Sequence, residues 1–279
     1  MQKLESPHFW EAVLVAAIIS ACDAAPQAPS SLAPPQRPAP TELLLSTASE
    51  APPRSIVDLL KDNGGCKLPC WWGIFPGVTT WPAAERLISP LASHVEASEF
   101  GAPPDTVIYS AEFPPPVEGA HGIAQMYYVR GNVVTLIWSA PGNVPEYSLA
   151  SLVTLLGSPK EALLRTVPEP YQGLLPADLL LSYPDLGVVA LYRAEARIEG
   201  DAILACDFQR PVLWLWNPQE KILLSGIAHQ FPAGYLPPDE LTFFRPIEQV
   251  TGQSTSQFAS ALRAGEPEVC LETLPANWR

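Results

Sequence analysis

The stretch Cys66-Lys67-Leu68-Pro69-Cys70-Trp71-Trp72-Gly73-Ile74-Phe75-Pro76-Gly77-Val78-Thr79-Thr80 constrains this chain more than any other. Two cysteines flank a proline, two tryptophans come next, and Pro76-Gly77 turns the chain toward a helix that starts at Thr79 or Thr80 with Pro82 in its first turn. Residues 22–54 read as tether and the chain from 55 onward as packed body. Residues 24–53 hold eight of the 33 prolines and no sustained apolar period, only the local run Leu43-Leu44-Leu45. Such a segment cannot bury enough surface to offset its ordering entropy. At about 3.1 Å per residue, thirty semi-extended residues reach up to about 90 Å. The body differs. Eight tryptophans and a hydrophobic content of 47% in 279 residues support a real core. A formal charge of -13, with no acidic tail to explain it, argues against a nucleic-acid partner.

The apolar run 12–21 is too short to cross a bilayer core of about 30 Å as a helix. Ile19-Ser20-Ala21-Cys22 resembles the lipobox of bacterial lipoprotein signal peptides, although Glu5 and Glu11 dilute the positive start supplied by Lys3. The resemblance implies cleavage after residue 21, lipidation of Cys22, and a membrane partner reached through that lipid anchor, outside the cytoplasm in the cell envelope. The alternatives are an N-terminal helix or a cleaved signal without lipid. Setting Cys22 aside leaves Cys66, Cys70, Cys206 and Cys270, an even number that an oxidising compartment pairs. Of the three connectivities, Cys66–Cys70 with Cys206–Cys270 is favoured, since the first pair is local and turn-linked. Other uses of the first pair fit less well. A thioredoxin-type motif has two intervening residues, and here there are three. Haem attachment needs a histidine where Trp71 stands, and a binuclear copper motif needs one where Ile74 stands. Zinc needs more ligands, and the nearest histidine is His94. A structural disulfide is therefore expected, with no metal and no other cofactor.

Pro76-Gly77 and Pro141-Gly142 precede similar patterns. Counted from each glycine, apolar residues fall at offsets 7, 10, 11 and 14: Ala84, Leu87, Ile88, Leu91 and Leu149, Leu152, Val153, Leu156. Those spacings make one helix face. A short helix is also expected from Ser55, capped by Asp58 and stopped by Asn63-Gly64-Gly65. Strand-like runs come after each longer helix: 106–113, 122–129 and 133–139, the last two joined by the hairpin signal Arg130-Gly131-Asn132; then 179–183, 187–199, 203–208 and 212–216. In 187–199, Val188, Ala190, Tyr192, Ala194, Ala196 and Ile198 alternate with Arg193, Glu195, Arg197 and Glu199, which predicts one buried and one wet face, with a helix through Ala194–Arg197 as the competing reading. A last helix is expected from Ser254, with Gln257 completing a capping box. The expected fold is α+β: two tandem helix-then-antiparallel-strand repeats with a C-terminal helical segment. The organisation is 1–21 signal peptide, 22–54 lipid-anchored linker, 55–140 first repeat, and 141–279 second repeat with the helical segment.

Catalytic motifs are missing: no nucleophile elbow, phosphate loop, dinucleotide fingerprint or His-Glu-x-x-His occurs. His94, His121 and His229 stand apart, and the charges of 193–201 and Asp239-Glu240 read as solvated surface rather than paired glycosidic carboxylates. Trp71 and Trp72 by a turn, and Trp214 and Trp216 on one strand face, are candidate ligand-binding aromatics, with core packing as the simpler account. The lipobox, the linker, and Gly77 and Gly142 with the helices after them resemble small bacterial lipoproteins of the SmpA/OmlA outer-membrane assembly class. They also resemble the tandem-repeat β-lactamase inhibitor proteins. The Cys-x-Leu-Pro-Cys-Trp block belongs to neither and is similar to one in uncharacterised exported lipoproteins. The expected role is a lipid-anchored, non-enzymatic protein binding another protein or an envelope component. A carbohydrate- or small-ligand-binding lipoprotein is the alternative, and a hydrolase with dispersed catalytic residues ranks third.

Overall fold

The computed structural model of the chain describes residues 54–99, 104–116, 122–170, 175–220, 243–265 and 269–278. Cys22, His121, His229, Asp239 and Glu240 lie outside the described residues.

The first elements obey local rules. Helix α1 (Ile56–Asp62) is closed by a capping box in which the Ser55 hydroxyl accepts from the Asp58 amide at 3.2 Å. A hydrogen bond from the same hydroxyl holds the Asp58 carboxyl below its ordinary range. Helix α2 (Trp81–Ile88) begins with Pro82, where the missing amide costs nothing, and α3 (Leu149–Leu156) begins at Ser148. Further helices span Ile247–Thr251 and Thr255–Arg263, the latter with the Ser254–Gln257 capping box.

Strands dominate: β1 (His94–Ser98), β2 (Thr106–Phe113), β3 (Ile123–Arg130), β4 (Val133–Ala140), β5 (Glu161–Thr166), β6 (Pro176–Tyr183), β7 (Val188–Glu199), β8 (Ala202–Ala205), β9 (Gln209–Trp216), β10 (Arg245–Pro246) and β11 (Leu271–Thr273). They form one sheet in the order β1-β2-β3-β4-β9-β7-β6-β5-β10, while β8 pairs with the end of β7 and carries β11. Every pairing is antiparallel. The β3–β4 hairpin turns on Gly131 and Asn132, both with positive φ (55° and 68°), as a two-residue primed turn demands.

This large antiparallel sheet overturns the expected fold of two helix-then-strand repeats. Strand β9 lies between β4 and β7, so the strands after α2 and those after α3 share one unbroken sheet. Helices α2 and α3 do begin where the Pro-Gly pattern places them, but each has eight residues. Their matched positions also diverge: Leu87 is 47% exposed, whereas Leu152 at the same offset is 0% exposed. Side-chain period reports which face of a segment is apolar. It is silent on which distant backbone will complete the hydrogen-bond ladder, and that pairing decides the architecture.

The central strands of the sheet are buried on both faces. One face packs with the helices around Trp71, Trp81, Ile88, Val153, Tyr192 and Phe258. The other holds Ile108, Leu136, Trp138, Leu191, Val212, Trp214 and Trp216, whose buried members all come from the sheet apart from Phe244. The expected wet face of β7 is therefore only half right. Val189 and Leu191 on that face are fully buried, and the face becomes exposed only from Arg193 onward. Gly187, at φ +65°, shows how tight this packing is: an added Cβ would meet the Trp216 carbonyl oxygen at 2.1 Å. Its own carbonyl accepts the Trp216 amide at 3.0 Å, so a β-carbon there would push two strands apart.

Candidate functional site

The cysteine–tryptophan stretch folds inward. Cys66 is bonded to Cys70, and Cys206 to Cys270. Asn63, left-handed at the end of α1, donates its amide to the carbonyls of Cys66 (3.0 Å) and Cys70 (2.7 Å), and its Oδ1 accepts from the Trp72 amide at 3.1 Å. Trp71 and Ile74 exchange backbone bonds of 2.9 and 2.8 Å. The indoles of Trp71 and Trp72 stack at 5.7 Å, Trp71 lies 5.1 Å from the Tyr147 ring, and Trp72 sits edge-on to Phe113. The amide of Gly77 donates to the Val134 carbonyl at 2.7 Å and that of Trp81 to the Asn132 carbonyl at 2.9 Å, which ties the stretch to the β3–β4 hairpin. Trp71, Trp72, Trp214 and Trp216 are all buried.

A different tryptophan lines a cavity, although it is as buried as Trp72, both being 4% exposed. Trp138 of β4, in register with Trp214 and Met126, lines a cavity of about 690 Å³. Helix α1 contributes Val57, Leu60 and Lys61, the segment 140–146 forms a wall that includes Glu146, and Arg193, Arg210 and Val212 come from β7 and β9.

The backbone of β9 is bent to form this wall. Leu191 pairs with Val212 and Arg193 with Gln209, so Arg210 and Pro211 together oppose the single residue Tyr192. That is a bulge, which breaks the ladder and re-aims side chains, and Pro211 suits it because it has no amide to donate. Arg210 takes φ +52°, a left-handed conformation that disfavours an L residue by about 1–2 kcal/mol. Asn143 holds the bend in place: its Oδ1 accepts the Arg210 amide at 2.8 Å and its Nδ2 donates to Gln209 Oε1 at 3.1 Å. The far end of the wall is held by Tyr192, whose hydroxyl donates to the Tyr147 carbonyl at 3.0 Å.

Charge is distributed unevenly here. Arg165, Asp178 and Arg193 lie in register across β5, β6 and β7. Arg165 Nε donates to Asp178 Oδ2 at 2.9 Å and its Nη2 binds the same oxygen, while Arg193 Nε lies 3.5 Å from Oδ1. The Arg165 guanidinium also sits 5.1 Å over the Phe244 ring. The Asp178 side chain is 8% exposed, and two guanidiniums share its one negative charge. Among the described lining residues Lys61, Arg193 and Arg210 are basic and Glu146 is acidic, in a chain of formal charge -13.

The remaining candidates do not converge. His94, the only histidine among the described residues, is exposed with its Nε2 3.4 Å from Glu96 Oε2. Arg197 pairs with Glu199 at 2.5 Å on the exposed end of β7. Among the described residues no three His, Cys, Asp or Glu side chains gather for a metal ion, and no helix is long and apolar enough to cross a membrane.

The sequence pattern did not single out Trp138, Asn143 or Arg210, and it placed Arg193 on a solvated face. One signal was present: Gln209-Arg210-Pro211 heads an apolar strand, and a proline there marks a bulge or an edge. Comparison with protein-family models, curated proteins and solved structures finds no match to this chain.

Proposed function

We propose that this protein is a lipid-anchored, non-enzymatic binding protein of the cell envelope whose folded body takes a small ligand in the cavity beside Trp138. The anchor rests on the Ile19-Ser20-Ala21-Cys22 pattern and on the proline-rich tether behind it. The ligand rests on one observation: the cavity wall is braced by the chain itself, through Asn143 on β9 and Tyr192 on Tyr147. A wall already ordered spares a ligand the cost of ordering it. About 690 Å³ lies within the range of roughly 300–1,000 Å³ typical of small-molecule sites. This concave geometry favours the small-ligand alternative over docking of a partner protein, and Trp138, not Trp71, Trp72, Trp214 or Trp216, is the tryptophan on the cavity lining.

Ligand screening by thermal shift on the full chain, repeated with Ala140→Phe to fill the cavity, tests the reading. Compounds that raise the melting temperature of the wild type and lose that effect in the variant support it. Hits that stabilise both proteins equally would place binding elsewhere. For the anchor, labelled palmitate should enter the wild type and not Cys22→Ser.

A further inference from the structure

Resting on the cavity as a ligand site, we propose that its ligand is an organic anion: a carboxylate or phosphate group carried on a compact apolar body. Four observations converge. First, the lining is amphipathic. Trp138, Val212, Val57 and Pro141 supply apolar surface, and the basic residues Lys61, Arg193 and Arg210 come from three separate elements, against the single acidic lining residue Glu146. Second, this concentration runs against the composition, because the whole chain has 16 basic residues against 29 acidic ones.

Third, the backbone gives up conformational energy to place Arg210. This left-handed arginine sits at a bulge clamped by Asn143, and its side chain is exposed, so burial of that side chain does not account for the bend. Unfavourable φ/ψ values of this kind persist where the surrounding structure imposes them, and they cluster at ligand sites. Fourth, among the described residues Arg210 has no carboxylate partner, unlike Arg165 and Arg193, which share Asp178. A guanidinium offers a planar fork of donors that matches a carboxylate or a phosphate through two parallel bonds. Beside apolar walls, such a pair is screened less than one in open solvent. Asp178 contributes at one remove, through its ion pair with Arg193.

Calorimetric titration of the full chain in neutral detergent with benzoate, phenyl phosphate, inorganic phosphate and uncharged benzyl alcohol tests this directly. At least one aromatic anion should bind tenfold or more tighter than benzyl alcohol, and tighter than inorganic phosphate, which lacks the apolar body. The order of benzoate and phenyl phosphate identifies the head group. Arg210→Gln should weaken that anion at least tenfold with the melting temperature held or raised, and Lys61→Gln should weaken it less, providing a second arm should Arg210→Gln misfold. If benzyl alcohol binds as tightly as the anions, or if both variants leave anion affinity unchanged, the anion assignment is wrong while the cavity remains a ligand site. If no probe of either kind binds, and no compound in the thermal screen does, both readings fall together.

Discussion

The cysteine–tryptophan junction and the cavity rim both force residues other than glycine into left-handed backbone, yet they use it differently. At the junction, Asn63 (φ 52°) and Trp72 (φ 54°) bend the chain so that aromatic rings reach the core, and Asn63 satisfies three backbone groups in return. The strain is offset by burial on the spot. At the rim, Arg210 (φ 52°) bends the chain so that a charge stays at the surface, and the clamp from Asn143 satisfies one backbone amide. The difference teaches where to look for function: at unfavourable geometry that burial of the residue itself does not compensate. The two regions also cooperate. Asn63 fixes the end of α1 to the junction, and the neighbouring turn of that helix puts Leu60 and Lys61 on the cavity.

The largest test of this division is alkaline unfolding. Burial raises the Tyr127, Tyr147 and Tyr192 hydroxyls above their ordinary value, and these rings belong to the helix-covered core. A raised folded pKa gives stability that is complete below the unfolded value near 10 and is lost as pH climbs beyond it. Each such tyrosine then costs about 1.4 kcal/mol per pH unit. The share of the 295 nm absorbance that these three rings supply should therefore appear only with the loss of near-ultraviolet circular dichroism; its appearance while that signal is intact would contradict the burial.

Next in size, Trp71→Ala should cost about 3–5 kcal/mol in urea unfolding, because it empties a fully buried site. The folded fraction should still bind whatever anion the wild type binds. A loss of affinity with unchanged stability would reverse the roles of junction and rim.

The disulfides come third and differ between themselves. Cys206–Cys270 closes a separation of 64 residues and Cys66–Cys70 one of 4, so the paired serine variants should lose about 4 and about 2 kcal/mol respectively. Equal losses would mean that the short bridge matters for geometry at Asn63 and α1 rather than through loop closure.

The smallest effect is the most discriminating. Arg210→Gly should stabilise by up to about 1 kcal/mol, since glycine accepts left-handed backbone freely, while anion binding is lost as it is in Arg210→Gln. Destabilisation by glycine would mean that the arginine stem contributes packing at the bulge.

Much of the local structure was legible from the residues. The Ser55 and Ser254 capping boxes, the Gly131-Asn132 hairpin and strand β2 are written in short-range chemistry, and they appear where that chemistry places them. Strands β1 and β5 were not, because His94–Ser98 is barely buried and Glu161–Thr166 sets Leu163 beside Leu164, which blurs the apolar–polar alternation in its sequence. The second apolar face also escaped notice. Its residues alternate with those of the first, so strands buried on both sides read as continuous apolar runs with no face to assign. Of the site, only Pro211 left a trace, since a bulge depends on which strand lies opposite.

By itself, then, the sequence determined the capped helices, the cysteines available for pairing, the inward demand of the tryptophans at 71 and 72, and the low burying capacity of the proline-rich segment. All of these depend on residue type and spacing within one or two turns of chain. Tertiary structure alone decided that β9 joins β4 to β7, that Arg165, Asp178 and Arg193 meet in register, and that Asn143 reaches Arg210 across 67 positions. Those outcomes depend on backbone hydrogen bonds between distant segments. Any extended segment offers the same amides and carbonyls, so only the competition among whole pairings, judged by what each one buries, selects the partner.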